Sequence, residues 1–303
     1  MQPRLLWLRK GWRLYLLLLP PVIYLVLFKY VPMYGVLIAF ERYNVVKGIG
    51  GSEWVGLKHF QQFFHSYEFW RVLRNTLGLS VYQLIAGFPF PILLALCFNY
   101  IRNQYYKKVS QMIVYIPHFI SIVVVSGMIV QFLSLRSGLA NKILNLFGVA
   151  SIDFMGRADL FKSIFVWSDI WQNVGFSCII YLAALTGVDP QLHEAAVVDG
   201  ANKWRRVWHI DIPTILPIAI ILLILNSGHI LDTGFEKVLL LQNPLNLSSS
   251  EVIDTYVYQV GIASGIPNFS YSTAIGLFKS VISLIILIIV NSIAKKSGQT
   301  SLW

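Results

Sequence analysis

Residues 194–213 read EAAVVDGANKWRRVWHIDIP, a polar and basic insert between two long apolar segments. Hydrocarbon would not accept so many charges, yet the pattern is too ordered for a casual loop. Just upstream, Asp189 and Pro190 form a helix start, with a side-chain acceptor at the N-cap and a proline at the first helical position. Glu194 is followed by Ala195 and Ala196, which leave one helix face nearly bare and able to lie close against another surface. Gly200 breaks that helix, followed by Ala201, and Asp199 is expected to cap a second short, basic helix running to Pro213. The stretch predicts two short helices joined at a glycine, lying along a membrane surface and offered to a water-soluble partner.

The sequence on either side is membrane-like. The 303 residues are 56% hydrophobic and 13% charged, with mean hydropathy +0.64, whereas soluble domains carry about 25% charged residues. Apolar runs of roughly 20 residues are long enough to cross a bilayer. Six are expected, at about 14–31, 77–100, 109–133, 164–185, 215–231 and 274–293, with VPMYG at 31–35 interrupting the apolar continuation of the first. They lack the alternation of barrel strands, so the class is an all-α membrane protein with six transmembrane helices. The expected division is an N-terminal span and external segment over 1–71, a core transmembrane domain over 72–296 containing the polar segment 189–213, and a short tail over 297–303. Arg4, Arg9, Lys10 and Arg13 ahead of the first apolar run resemble a secretory signal, but no small-x-small cleavage site follows, so a retained span is expected.

The net charge of +10 reads as basic loops facing the cytoplasm, not as nucleic-acid binding. Short segments containing Arg102, Lys107, Lys108, Lys203, Arg205, Arg206, Lys295 and Lys296 fall on one side with the basic N-terminus, while the opposite loops are longer and mixed with acids. Both termini are therefore expected in the cytoplasm. Cys97 and Cys178 lie inside apolar spans and form no disulfide or metal pattern.

Polar groups inside spans usually face the bundle interior. Asn226, His229 and Thr233 recur at i, i+3 and i+7 as a stripe in the fifth span. Trp167, Trp171 and Asn173 reach a comparable depth in the fourth, with Asp169 and Gln172 nearby, and Gln83 and Tyr82 lie in the second. Such a set suits a sugar path, with aromatic faces for the rings and amides for the hydroxyls. The tryptophans serve equally as interfacial anchors, and His229 equally as a bond to a neighbouring helix. Lys279 pairs with Asp232 or Glu236, or contacts an acidic cargo. Trp204 and Trp208, at i and i+4, either anchor the short helix or fill a partner's groove. Ion-driven transport fits poorly, because no internal repeat is present and few carboxylates fall in spans. No nucleophile or acid–base constellation supports a membrane enzyme.

EAAVVDGA at 194–201, with Ile212–Pro213 and Pro217 downstream, resembles the coupling motif of binding-protein-dependent ABC importer permeases of the sugar type. WVGLKHFQQFF at 54–64, Asn75–Thr76, QMIVYIPHFIS at 111–121 and IWQNVGFSCIIYLAALTGVDP at 170–190 are similar to the same group. LLLQNPLNLSSSEVIDTYVYQVGI at 239–262 looks like the subgroup handling complex carbohydrates such as aldouronate. Val207 and Asp211 depart from the usual phenylalanine and neutral hydroxyl residue. The resemblance implies the type I importer fold, maltose-permease-like, in the cytoplasmic membrane. It implies Glu194, Ala195, Ala196, Asp199, Gly200, Ala201, Trp204 and Trp208 as the coupling surface for an ATPase. Its partners would be a second, homologous permease subunit, two ATPase subunits and an extracellular or periplasmic solute-binding protein docking on 41–71 and 232–270. The cargo would be an oligosaccharide from plant polysaccharide, with part of the 232–270 loop dipping back between helices. No GxxxxGK[ST] occurs in the chain, so no cofactor is expected here; ATP and Mg would belong to the ATPase subunits.

Overall fold

The computed structural model describes residues 12–296. Arg4, Arg9 and Lys10 of the N-terminal basic cluster and the 297–303 tail lie outside the described residues. Helix α1, Trp12–Leu25, contains Pro20 and Pro21. It does not stop at VPMYG: a π turn, Val26–Tyr30, and a 3-10 segment, Val31–Phe40, carry it to Phe40. The wide turn leaves Val31 N–H bonded to the Val26 carbonyl, and Pro32, which has no N–H to donate, falls in the first turn of the 3-10 segment. A two-stranded hairpin follows, β1 Glu41–Arg42 against β2 Glu53–Trp54, then α2, Lys58–Phe64.

The next elements are α3, Tyr67–Gly87, and α4, Pro89–Asn99, which together make one 33-residue candidate span. Helix α5, Gln104–Tyr115, and α6, Ile122–Phe132, flank a 3-10 turn at Ile116–Phe119, and a short α7, Leu139–Leu146, follows. Helix α8 runs Ala158–Thr186, α9 Pro190–Val198 and α10 Lys203–Arg206; a π turn, Val207–Asp211, leads into α11, Ile212–Gly228. The short helices α12, Phe235–Leu241, α13, Leu247–Ser250, and α14, Ile253–Tyr258, precede the last long helix, α15, Phe269–Lys296. Among the described residues, four helices are long and apolar enough to cross a membrane, or six if each of two bent pairs counts as one span.

One bent pair departs from the expected third span. In place of a straight helix over 109–133, α5 and its 3-10 extension meet α6 at 97°. Pro117 withdraws a backbone donor, and the Ser121 hydroxyl accepts from Val124 N–H to start a fresh helix. The other pair is α8 and α9, bent by 72°. At 29 residues α8 is about 43 Å long, more than the roughly 30 Å of hydrocarbon in a bilayer.

The chain divides into two compact units. The first holds the described residues up to His65 together with Val257–Phe278. Within it Arg42 pairs with Glu53 at 3.0 Å, Phe40 stacks on Trp54, His59 bonds the Glu41 carbonyl, and Tyr43 N–H donates to Ser270 Oγ. The second unit runs from Ser66 to Tyr256 and takes in α15 from Lys279 onward. Helix α8 is its mast, passing through two apolar clusters. One gathers Leu79, Phe161, Phe165, Val166, Val238 and Leu241; the other gathers Ala95, Phe98, Cys178, Tyr181, Ile215 and Ala219. Where α5 crosses α8, Gly175 lies so near the Val114 carbonyl that no Cβ fits.

Candidate functional site

Between the two clusters of the second unit lies a cavity of about 760 Å³. Four residues expected on the path, Gln83, Asn173, Asn226 and His229, line it together. The other three do not. Trp167 and Trp171 are each 49% exposed and stand outside the lining, and Trp167 Nε1–H donates to the Tyr82 hydroxyl at 3.0 Å. Thr233 is buried elsewhere. Its place in a helical stripe fails because α11 stops at Gly228 and His229 forms the C-cap, short of the expected end at 231. The rings that do face the cavity are Phe88, Phe176 and Tyr181. A pattern of tryptophans drew attention away from them, and phenylalanine in an apolar span carries no sequence signal of its own.

A polar network fixes this wall. Asp169 accepts from Gln83 Nε2 at 2.9 Å and from Asn173 Nδ2 at 3.0 Å, and Asn173 Oδ1 pairs with His118 Nδ1 at 3.0 Å. The His118 ring stacks flat on Phe176, with centroids 4.0 Å apart, and Gln172 Nε2 donates to the Ile120 carbonyl, so the kink between α5 and α6 is pinned to α8. With its amide nitrogen turned to Asp169, Gln83 keeps its carbonyl oxygen available to accept from a ligand hydroxyl. Behind Asp169 sits Lys237, 2% exposed, its ammonium 3.6 Å from the carboxylate and over the Phe165 ring. Burial drives the Lys237 pKa below its ordinary value, against the pull of Asp169. Sequence reasoning missed this lysine, since nothing local marks it as buried.

A second charged group bounds the cavity at Asp232. Lys279 meets Asp232 at 2.5 Å and Asp254 at 2.6 Å, while His229 Nδ1 is 3.0 Å from Asp232. Of the partners expected for Lys279, Asp232 is found; Glu236 is replaced by Asp254. Burial opposes the Asp232 charge, but the hydrogen bonds of Lys279 and His229 outweigh it and hold this carboxyl below the usual range. Asp254 is more enclosed, and burial pushes its pKa up despite Lys279. The segment containing Asp254 is itself clamped. Asn75 Nδ2 donates to the Ser248 and Glu251 carbonyls, Thr76 Oγ1 accepts from Ile253 N–H, and Arg71 pairs with buried Glu251 at 2.5 Å.

Of the two short helices expected over the 189–213 elbow, α9 stands alone, whereas α10 does not end near Pro213. It continues through the π turn into α11 as one 26-residue helix, Lys203–Gly228, because Arg206, Val207, Asp211 and Ile212 all keep helical backbone angles. Asp189 caps α9 through Gln191 N–H, Pro190 opens it, and Gly200 turns the chain at φ +75°. The second helix is capped by Asn202, whose side chain accepts from Arg205 N–H at 2.9 Å; Asp199 instead closes the end of α9. Asn202 has the φ and ψ of a cap and immediately precedes α10, whereas Asp199 lies three residues further back, before the turn at Gly200. Glu194, Ala195, Asp199 and Gly200 are exposed, Ala196 and Ala201 are half-buried, and Trp204 and Trp208 are 73% and 63% exposed. Among the described residues Glu194 has no hydrogen-bond or ion-pair partner. The root of the elbow is tied instead. Asp211, fully buried, accepts from the Tyr100 hydroxyl at 2.8 Å and lies 3.2 Å from His193 Nε2, while Arg206 covers the Tyr100 ring. Burial, followed by the Asp211 hydrogen bond, pushes the Tyr100 phenol up to about 12.

Comparison with known proteins assigns this architecture. Residues 87–298 match the family described as binding-protein-dependent transport system inner membrane component. A polygalacturonan/rhamnogalacturonan transport system permease protein, YteP of Bacillus subtilis, is 47% identical over 290 residues, covering 96% of this chain and 90% of that protein. Protein LplB of Bacillus subtilis is 45% identical, covering 97% of this chain and 92% of that protein. A chain in the crystal structure of a bacterial ABC transporter involved in import of the acidic polysaccharide alginate superposes with a TM-score of 0.88 at 39% identity, over 96% of this chain and 98% of that one. In the complex of such a transporter with alginate pentasaccharide-bound periplasmic protein, the corresponding values are 0.89, 39%, 97% and 98%. The chain belongs to the binding-protein-dependent transport system inner membrane component family, as a multi-pass membrane permease subunit.

Proposed function

We propose that this chain is one permease half of an ATP-driven importer, passing oligosaccharides from polysaccharide breakdown across the cytoplasmic membrane by alternating access. Both termini and the 189–213 elbow face the cytoplasm in this reading. An ATPase subunit, one of a pair that binds ATP and Mg, seats on the elbow, and a second homologous permease completes the passage. An external binding protein delivers cargo to the segments 41–71 and 232–270.

The observation that carries the reading is the state of the elbow: its motif face is bare while its root is locked into the bundle by Asp211. A rigid lever with an exposed end suits a motor that pushes from outside the membrane. The cavity supports a sugar cargo, since amides and aromatic rings line it together. The YteP relative and the alginate transporters favour polysaccharide fragments, acidic ones included.

The test is reconstitution with the partner permease, the ATPase subunits and the binding protein. Uptake of trigalacturonate or another pectic oligosaccharide should require ATP inside the vesicle compartment that faces the elbow, and loaded binding protein should stimulate hydrolysis. Uptake that follows an ion gradient and ignores ATP would sink the proposal.

A further inference from the structure

We propose that Lys162 and Arg74 form an anion site on the outer approach to the cavity, where a carboxylate of an acidic oligosaccharide docks before passing inward. The direction of travel rests on the transport reading above; the site itself rests on geometry. Helix α8 presents Asp169, Asn173, Phe176 and Ile180 to the cavity. Lys162 continues that same face two turns toward the start of α8, about 10 Å beyond Asp169. Its ammonium lies over Gly78 of α3, 2.7 Å from where a Cβ would stand. Arg74 is one turn before Gly78 on α3, and the charge acting on Lys162 is that guanidinium, of the same sign.

The contrast with the neighbouring cations is what points to a ligand. Arg71 is answered by Glu251 at 2.5 Å, Lys237 by Asp169 at 3.6 Å, and Lys279 by Asp232 and Asp254 at 2.5 and 2.6 Å. Arg74 and Lys162 have no hydrogen-bond or ion-pair partner among the described residues. Two like charges held together, one of them half-buried and so weakly screened, lower their energy by taking an anion between them. The cavity lining itself holds no lysine, and Lys237 and Lys279 behind it are already paired with Asp169 and Asp232, so a carboxylate attracted at the approach meets no bare cation that would trap it. Gly78 belongs to the site as well, because any side chain there pushes the Lys162 ammonium away. The occupant is cargo and not the binding protein, because Lys162 extends the cavity-lining face of a helix and is not carried on an outer loop.

Proteoliposomes holding the complete transporter with its binding protein test this, with uptake of trigalacturonate and of neutral galactotriose measured from about 20 to about 300 mM salt. In the R74Q/K162Q double variant the trigalacturonate KM should rise about three- to tenfold, its salt dependence should flatten, and Vmax should stay within about twofold. K162R should retain wild-type behaviour, Gly78→Val should raise KM with both charges intact, and galactotriose uptake should not change. Unchanged KM and salt slope in R74Q/K162Q would overturn the site, as would equal losses for both sugars. A KM shift that vanishes at saturating binding protein would also overturn it, assigning the cations to protein docking. Where the wild type carries trigalacturonate alone, its KM and salt slope decide. A wild type that carries galactotriose but no trigalacturonate overturns the site and leaves the transport reading standing; one that carries neither overturns that reading itself.

Discussion

Asp211 has no exposed surface, yet it bonds the Tyr100 hydroxyl, faces His193, and stands where the elbow joins α11. Removing its carboxylate leaves two half-buried polar partners without their acceptor, at a cost toward the lower end of about 1–3 kcal/mol. Asp211→Ala should therefore lower the ratio of cargo moved to ATP hydrolysed more than it lowers expression, as read by paired uptake and ATPase assays on one preparation. Asp211→Asn, which can still accept from Tyr100, should retain more of that ratio. On the cavity wall, Asp169→Asn strands the Lys237 ammonium inside the protein. Breaking a buried ion pair costs about 3–5 kcal/mol, and the loose 3.6 Å geometry places this pair toward the lower end. Thermal unfolding of the detergent-extracted protein should show the loss, and the double change Asp169→Asn with Lys237→Met should recover most of it. These two residues also mark a limit of the sequence. Asp211 stood out as a departure from a motif, so it was visible before its contacts were. In the sequence Lys237 lies in a long mixed loop with nothing local to single it out, because its burial depends on α12 folding back against α6 and α8.

Among the elements, the long helices were legible because hydropathy alone specifies a crossing, and the elbow was legible because cap, proline and glycine follow one another in fixed order. The kink between α5 and α6 was not. Pro117 sits within a mainly apolar run in which His118 and Ser121 are the near polar residues, and the contacts of His118 and Ile120 with Gln172, Asn173 and Phe176 on α8 are what reveal that the chain turns there. The close crossing at Gly175 holds that turn against the mast. Gly175→Leu should force α5 and α8 apart and abolish a folded, extractable protein, which size-exclusion profiles after mild detergent would show. A monodisperse peak of wild-type yield would contradict the crossing. At the elbow, Gly200→Pro demands a φ near −65° where the chain has +75°. Glu194→Lys reverses the charge on the bare motif face. Both should leave the protein folded in the membrane while eliminating cargo-stimulated hydrolysis and uptake.

For the whole molecule, transport requires that events at the elbow reach the cavity, and α8 offers the physical route. Its 29 residues run from the apolar cluster around Phe165 past the cavity wall to the bend into α9. A push on α9 would load the same helix that holds Asp169, Asn173 and Phe176 in place. This depends on the elbow being in the cytoplasm with an ATPase upon it, which a single cysteine can address. In a chain with Cys97 and Cys178 replaced by serine, Ala195→Cys places a thiol on the exposed face of α9. A membrane-impermeant maleimide should label it only in inside-out vesicles, and adding the ATPase subunits should protect it. Labelling from the outside of intact cells, or labelling indifferent to those subunits, would contradict the coupling role on which the rest depends.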